Sequence, residues 1–322
     1  MMLLRPSLTA LLLHLTIIAI SHAIYLDIHV PLPNDDDCLM TQTLRANELL
    51  RSYSSNQKKY DSEEVDLFSR HVPHITLFLA DFDLEIDDGN ALEDESLSQL
   101  NVTKVDSFLA AISTINFTQV IQGLDCTLSL STQSFIEHND DSNNKDKFYT
   151  INGAFTMLNV QNTPCLKALS SAILDPVESF VKRPIIVPSW AASLPEPERS
   201  AAIYRSRKYG SPNVKEGFSP HLTVGFDDPS RGSAAGATYH HYSSHADVNS
   251  DTSMQWREDA MEQWNEGFAL LMNDGCSSEV KRIAVGRNGI GGTVLANSRM
   301  RYWKVGNDLF LPHENEAQAV II

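Results

Sequence analysis

Two short stretches of the sequence share one pattern of residues, and this pattern constrains the fold more than any other feature. Residues 73–77 read Pro-His-Ile-Thr-Leu, and residues 220–224 read Pro-His-Leu-Thr-Val. Residues two positions apart in a β-strand point to the same face of the sheet. The His and the Thr of each stretch therefore share one face, and the apolar residues beside them face the core. Because proline is tolerated at the first residue of a strand, each stretch is predicted to begin a strand.

The residue types of these two motifs suit acid–base chemistry at a phosphate. Imidazole has an ordinary pKa of about 6.5, so one histidine can act as a base while the other acts as an acid. His74 and His221 are therefore the candidate catalytic residues. The hydroxyls of Thr76 and Thr223 can donate hydrogen bonds to the non-bridging oxygens of a phosphate. The alternative for each motif is a Pro-led strand with a structural histidine, but two copies favour catalysis. This chemistry requires no metal ion and no organic cofactor.

The paired motifs resemble those of the 2H phosphoesterase superfamily, which includes cyclic phosphodiesterases of bacteria and plants and a eukaryotic exonuclease of small nuclear RNA. The segment 208–224, KYGSPNVKEGFSPHLTV, strengthens the resemblance. The resemblance implies a bilobal α+β fold of duplicated α/β units, whose antiparallel-rich sheets line a central cleft. It also implies that one lobe supplies His74 and Thr76 and that the other supplies His221 and Thr223.

The same resemblance implies a metal-independent phosphodiester hydrolase that acts on a cyclic nucleotide phosphate or an RNA 3′ end. Two alternatives stay open: an exonuclease that cleaves 2′-5′ or 3′ ends of oligonucleotides, and a secreted nucleotide-binding protein without turnover. The formal net charge of −16 disfavours long nucleic-acid polymers, which need a broad cationic surface. A small nucleotide or an RNA end is the expected partner, and the chain is expected to be a monomer.

The first 23 residues are predicted to be a secretory signal peptide rather than part of the folded domain. Residues 1–5 are weakly basic, residues 8–20 are apolar, and residues 21–23 place small side chains where a signal peptidase reads them. The alternative is a membrane anchor, but the apolar run is shorter than the roughly 20 residues that span a bilayer. We therefore expect a secreted protein whose single domain covers residues 24–322, without membrane contact after cleavage.

The four cysteines are expected to form two disulfides, because a secreted protein matures in an oxidising compartment. Four cysteines allow three pairings, and the sequence does not choose among them. Buried free thiols are the alternative. Asn101 and Asn116 each begin a glycosylation sequon, so the protein is predicted to be a glycoprotein.

Two further groups of polar residues are weaker candidates for a site. Tyr204, Arg205 and Lys208 lie in a basic stretch and are candidate substrate contacts, with a plain exposed basic loop as the alternative. Residues 240–245 include three histidines but no acidic or cysteine partner at a fixed spacing. A solvated loop is therefore favoured over a metal site there.

The apolar periodicity along the chain predicts an alternation of strands and helices. Residues 182–213 read as a long irregular stretch that contains proline and serine. The alternation favours an α+β class with approximate internal duplication. Strands are predicted at 24–30, 74–82, 116–124, 127–136 and 147–160, a strand pair with a Gly-rich turn at 279–295, and helices at 38–53, 97–115, 163–181 and 254–272.

Overall fold

The described part of the chain combines helices with antiparallel sheets, which confirms the predicted α+β class. The structure is a computed structural model, and the predicted signal peptide, the sequon at Asn101 and the His-rich residues 240–245 lie outside the residues that it describes. No helix within the described ranges is both long and apolar enough to cross a bilayer. The described residues are 24–33, 37–56, 65–84, 102–132, 147–152, 154–192, 194–226, 251–271, 276–289 and 292–305.

The first motif lies at the edge of a five-stranded antiparallel sheet. In spatial order its strands are β2 (His71–Val72), β10 (Val294–Lys304), β9 (Arg282–Asn288), β1 (Ile24–Pro31) and β3 (His74–Phe82). Only Pro73 separates β2 from β3, although the two strands belong to opposite edges of the sheet. The sheet must therefore curl until its edges approach each other at the first motif.

The second motif lies at the edge of a three-stranded antiparallel sheet. Its strands, in spatial order, are β5 (Tyr149–Asn152), β6 (Phe155–Asn159) and β7 (His221–Phe226). A short separate ladder pairs β4 (Thr127–Leu128) with β8 (Ser278–Glu279). The two larger sheets differ in strand number, and the duplication of equivalent units stays a prediction.

Helices cover these sheets and share one hydrophobic core with them. Helix α1 packs against both α7 and β7, while α4 packs against β3. Asn47 of α1 donates to the carbonyl of Val224 in β7 at 2.8 Å, which fixes the helix against the second motif strand. The helices are α1 (Cys38–Asn56), α2 (Val102–Ser113), α3 (Phe117–Val120), α4 (Pro164–Val177), α5 (Ser189–Ala192), α6 (Glu198–Tyr209) and α7 (Asp251–Leu271).

All four cysteines form disulfides, as expected, and the structure selects one of the three pairings. Cys38 pairs with Cys276, and Cys126 pairs with Cys165. The first bridge joins the start of α1 to the chain just before β8, across 238 residues of sequence. Two disulfides are typical of proteins in the secretory pathway or outside the cell.

Most of the predicted elements are confirmed, and three predictions are wrong for local reasons. Residues 117–120 form α3 instead of a strand, because the side chain of Asn116 caps the helix by accepting from the backbone N–H of Gln119. The single strand predicted at 147–160 is a hairpin of β5 and β6, in which Asn152 at the end of β5 pairs with Phe155 at the start of β6. The stretch 182–213 contains α5 and α6 rather than irregular chain alone.

Candidate active site

The two motif strands lie side by side although they belong to different sheets. β3 is the edge strand of the five-stranded sheet, β7 is the edge strand of the three-stranded sheet, and the two strands contact each other. The alternation predicted from the sequence is confirmed, since the apolar motif residues are buried: Ile75, Leu77, Leu222 and Val224. The two His-x-Thr pairs are thus carried on neighbouring edges, with the core behind them.

His74 is held by the backbone of its own motif. Its Nδ1 donates to the carbonyl of Val72 at 2.7 Å, across Pro73. A carbonyl only accepts, so this bond fixes the proton on Nδ1 and leaves Nε2 as the atom that exchanges protons. The side chain is buried, with 5% of the residue exposed, and Nε2 lies 3.4 Å from Oγ1 of Thr76.

His221 is held in the same way, by the carbonyl of the residue two positions before it. Its Nδ1 donates to the carbonyl of Ser219 at 3.1 Å, across Pro220. Asn213 fixes that carbonyl, because its Oδ1 accepts from the backbone N–H of Ser219 at 2.7 Å and its Nδ2 donates to the carbonyl at 3.3 Å. Asn213, the last residue of the Gly-Ser-Pro-Asn stretch before the second motif, therefore helps to orient the imidazole.

A buried carboxylate that the sequence analysis missed lies beside the first motif. Asp27 of β1 is fully buried, and its Oδ2 accepts from Oγ1 of Thr76 at 2.6 Å. The same oxygen lies 3.3 Å from Nε2 of His74. The Thr76 hydroxyl thus donates its hydrogen bond to Asp27 in this structure, whereas the sequence predicted a hydrogen bond to a phosphate.

A third imidazole, His29, completes this cluster and was also missed. Its Nδ1 donates to the carbonyl of Asp27 at 3.1 Å, and its ring meets that of His74 edge to face at 4.8 Å between centroids. Gly286 of β9 lies beside it and makes room for Val294, since a Cβ there would lie 2.5 Å from Cγ1 of Val294 but at an ordinary contact distance of 3.5 Å from Cε1 of His29. Asp27 and His29 occupy alternate positions of an otherwise apolar strand, and this spacing was the available signal.

The surroundings of the two motif histidines shift their pKa values in opposite directions. Burial by itself would lower the pKa of His74, but the Asp27 charge and the hydrogen bonds to Asp27 and Val72 outweigh it and raise the pKa above the ordinary value. For His221, burial lowers the pKa, the hydrogen bond to Ser219 opposes it, and the His74 charge lowers it further. Burial would raise the pKa of Asp27, but the neighbouring imidazoles hold it well below its usual range.

One more buried polar group faces the second motif. Asn159 of β6 is the cross-strand partner of His221, so the two side chains lie on the same face of the sheet. Its Oδ1 accepts from Oγ1 of Thr150 at 2.7 Å. Its Nδ2 is buried and has no acceptor among the described residues. An unused buried donor beside His221 is suited to a ligand oxygen.

The three candidate substrate contacts of the basic stretch lie on α6 and contact one another or the following loop. Arg205 donates through Nε to the carbonyl of Pro212 at 2.7 Å, and Lys208 donates to the hydroxyl of Tyr204 at 3.2 Å. The helix ends at Gly210, which packs near Ala80 of β3. Pro212 lies in the loop that leads to the second motif. The role of these three residues as substrate contacts stays a prediction.

Metal ligands and known relatives give no further assignment of the site. Within the described ranges, no three His, Cys, Asp or Glu side chains are grouped as ligands of a metal ion. Comparison of the chain with models of known protein families found no match, and comparison with curated proteins found no significant match. We therefore infer the function from the geometry and the charges of the paired motifs.

Proposed function

We propose that this protein is a metal-independent phosphodiester hydrolase of the 2H type, which acts on a cyclic nucleotide phosphate or an RNA 3′ end. The observation that supports the proposal is that His74 and His221 occupy equivalent positions in their strands. Each begins an edge strand, and each fixes its Nδ1 on the carbonyl two residues before it. In this proposal the two sheets that end in β3 and β7 form the two lobes of a substrate cleft.

The proposed reaction needs one base and one acid on opposite sides of the phosphorus. The base takes a proton from water while the water oxygen bonds to phosphorus. The bond from phosphorus to the ribose oxygen breaks, and the acid gives its proton to that oxygen. Two titratable groups whose environments separate their pKa values are suited to these roles, and the pKa values of His74 and His221 are shifted in opposite directions.

Two groups beside His221 are suited to hold the phosphate. Thr223 lies on the same face as His221, two residues along β7, and is partly exposed. The unused Nδ2 donor of Asn159 lies on the neighbouring strand. Both groups donate hydrogen bonds, which an anionic phosphate accepts.

Removing the hydroxyl of Thr223 is expected to weaken catalysis without harming the fold. Thr223→Val keeps the shape of the side chain but removes a hydrogen bond to a charged group, which contributes about 1.5–3 kcal/mol. We therefore expect kcat/KM to fall by about 10- to 100-fold. Thr223→Ser is the matched control, because it keeps the hydroxyl and should retain most of the activity. Equal losses in the two variants would show that the hydroxyl does not bind the phosphate.

The test of the proposed function is a substrate panel with the mature protein, residues 24–322. The panel comprises nucleoside cyclic phosphates and short RNAs with defined 3′ ends, incubated in a strong chelator. We expect at least one cyclic phosphodiester or RNA end to be converted, and the His74→Ala/His221→Ala protein to be inactive. Activity that disappears in chelator and returns with zinc would overturn the acid–base scheme.

A nucleotide-binding protein without turnover is the second candidate, and Asp27 is the observation that favours it. Its carboxylate accepts the hydrogen bond of the Thr76 hydroxyl and places a negative charge beside His74. Both effects oppose contact between a phosphate and the first motif, so a nucleotide held by the second motif alone would be bound without being cleaved. Equilibrium dialysis against the same panel distinguishes the candidates, because binding without conversion would support this one.

A further inference from the structure

His74 and His221 make the same hydrogen bond through Nδ1, but the groups around the two rings differ. Asp27 lies within 3.3 Å of Nε2 of His74. The strand that faces His221 instead supplies the neutral amide of Asn159. We infer that Asp27 is a positioning residue that holds a proton on His74, so that His74 is the general acid and His221 is the general base. This inference rests on the proposed function, and it deepens that proposal by assigning the two roles.

The geometry around Nε2 explains how a proton can be both held and released. Its side-chain neighbours are Oδ2 of Asp27 at 3.3 Å and Oγ1 of Thr76 at 3.4 Å, and the ring also hydrogen-bonds to the backbone of Gly292. Both distances exceed the usual range for a strong N–H···O bond. The negative charge therefore favours the protonated ring, while the long contacts leave the proton available to an incoming oxygen. Thr76 acts through Asp27, since its short bond of 2.6 Å fixes the carboxylate in place.

Asp27 is the charged group that decides the state of His74. The titratable groups around His74 are Asp27 and His29 from β1, His71 from β2 and His221 from β7. Burial lowers the pKa of each of the other three imidazoles, which favours their neutral forms. Of these four imidazoles, only His74 has a raised pKa, because the Asp27 charge and the hydrogen bonds of the ring outweigh the effect of burial.

The assignment fixes the orientation of the substrate. The leaving ribose oxygen lies at Nε2 of His74 and receives its proton, while the attacking water lies at His221 and gives its proton to that ring. The non-bridging oxygens of the phosphate then contact Thr223 and Asn159, on the side away from the Asp27 carboxylate. Thr76 orients the acid rather than binding the phosphate.

The first arm of the test measures protonation directly and needs no substrate. NMR titration of the imidazole Cε1–H signals should show His74 titrating at a higher pH than His221 in the unaltered protein. Asp27→Asn should lower the titration midpoint of His74. The midpoint of His221 should rise towards the ordinary imidazole value, because a less charged His74 lowers it less. Asp81→Asn, in the same strand as His74 but seven residues away, is the matched control and should leave the His74 midpoint unchanged.

The second arm separates an acid from a base by changing the leaving group. A nitrophenolate leaves without protonation, so nitrophenyl esters of a nucleotide do not need a general acid. We expect Asp27→Asn and His74→Ala to lose much less activity on such an ester than on the natural ribose ester. His221→Ala should lose activity on both. In Asp27→Asn the alkaline limb of the pH profile of kcat should move to lower pH. For each pH unit of this shift, kcat at pH values above the limb should fall about tenfold.

The outcomes distinguish this inference from the proposed function. If no compound is converted, the proposed function fails, and the NMR arm alone then decides whether Asp27 holds the proton on His74. If His221 titrates above His74, or if Asp27→Asn leaves the His74 midpoint in place, the assignment of roles is overturned while the hydrolase survives. Rescue of His221→Ala by the nitrophenyl ester would reverse the two roles. The titration of the unaltered protein tests the assignment even if Asp27→Asn does not fold.

Discussion

His74→Ala and His221→Ala are each expected to lower kcat by about 10²–10⁴-fold, because general acid–base groups contribute that much to catalysis. The two histidines act on one proton-transfer sequence. The double variant should therefore lose less than the product of the two single losses. Steady-state turnover of the substrate identified in the panel measures all three variants.

The control for these variants is His71→Ala. His71 is also buried, but its Nδ1 accepts from the backbone N–H of Asp66, which is a structural contact. We expect this change to lower the melting temperature and to leave kcat close to that of the unaltered protein. A His221→Ala protein that keeps its turnover and only melts earlier would show that the second motif is structural, and the catalytic assignment would fail.

The pH dependence of kcat follows from the same two residues. His221 must be neutral, so activity should fall as the pH drops through its lowered pKa. His74 must be protonated, so activity should fall as the pH rises through its raised pKa. The plateau should therefore include the ordinary imidazole value of about 6.5. Removing His221 should abolish the acid limb, and removing His74 should abolish the alkaline limb.

The sequence predicted the local parts of the site well because their determinants are local. Pro73 and Pro220 mark the starts of β3 and β7, and alternation within six residues places each His beside its Thr. The orienting carbonyls of Val72 and Ser219 are equally local, two residues before each imidazole. These features depend only on strand geometry and proline chemistry.

The missed parts of the site depend on contacts between distant segments. Asp27 reaches Thr76 because β1 pairs with β3 across 49 residues, with a register shift between Ile28 and His29. A pairing register and a bulge are set by the packing of the whole sheet, so no window of sequence contains them. The polar residues Asp27 and His29 in an apolar strand were the available signal, but the sequence does not show that they lie beside Thr76 and His74.

The disulfide pairing could not be predicted from the sequence, because it also depends on contacts between distant segments. We expect removal of the long-range bridge to have a large effect on stability. Cys38 and Cys276 join α1 to the chain before β8, and α1 packs against the strand that carries His221. In the chain-entropy description, a bridge that closes a loop of 238 residues stabilises the fold by about 5 kcal/mol. Replacing both cysteines with alanine should lower the free energy of unfolding by about that amount, as measured by denaturant titration without reductant.

The second disulfide supplies the matched comparison for this prediction. Cys126 and Cys165 close a loop of only 39 residues, so their removal should cost about 1.5 kcal/mol less than removal of the long-range bridge. Each variant keeps the other bridge, and thiol alkylation of the denatured, unreduced protein should detect no free cysteine in either one. A larger loss from the short loop would show that local packing around the sulfurs, rather than constraint of the unfolded chain, decides the stability. Reactive thiols in the unaltered, unreduced protein would contradict the pairing itself and remove the support that the disulfides give to a secreted location.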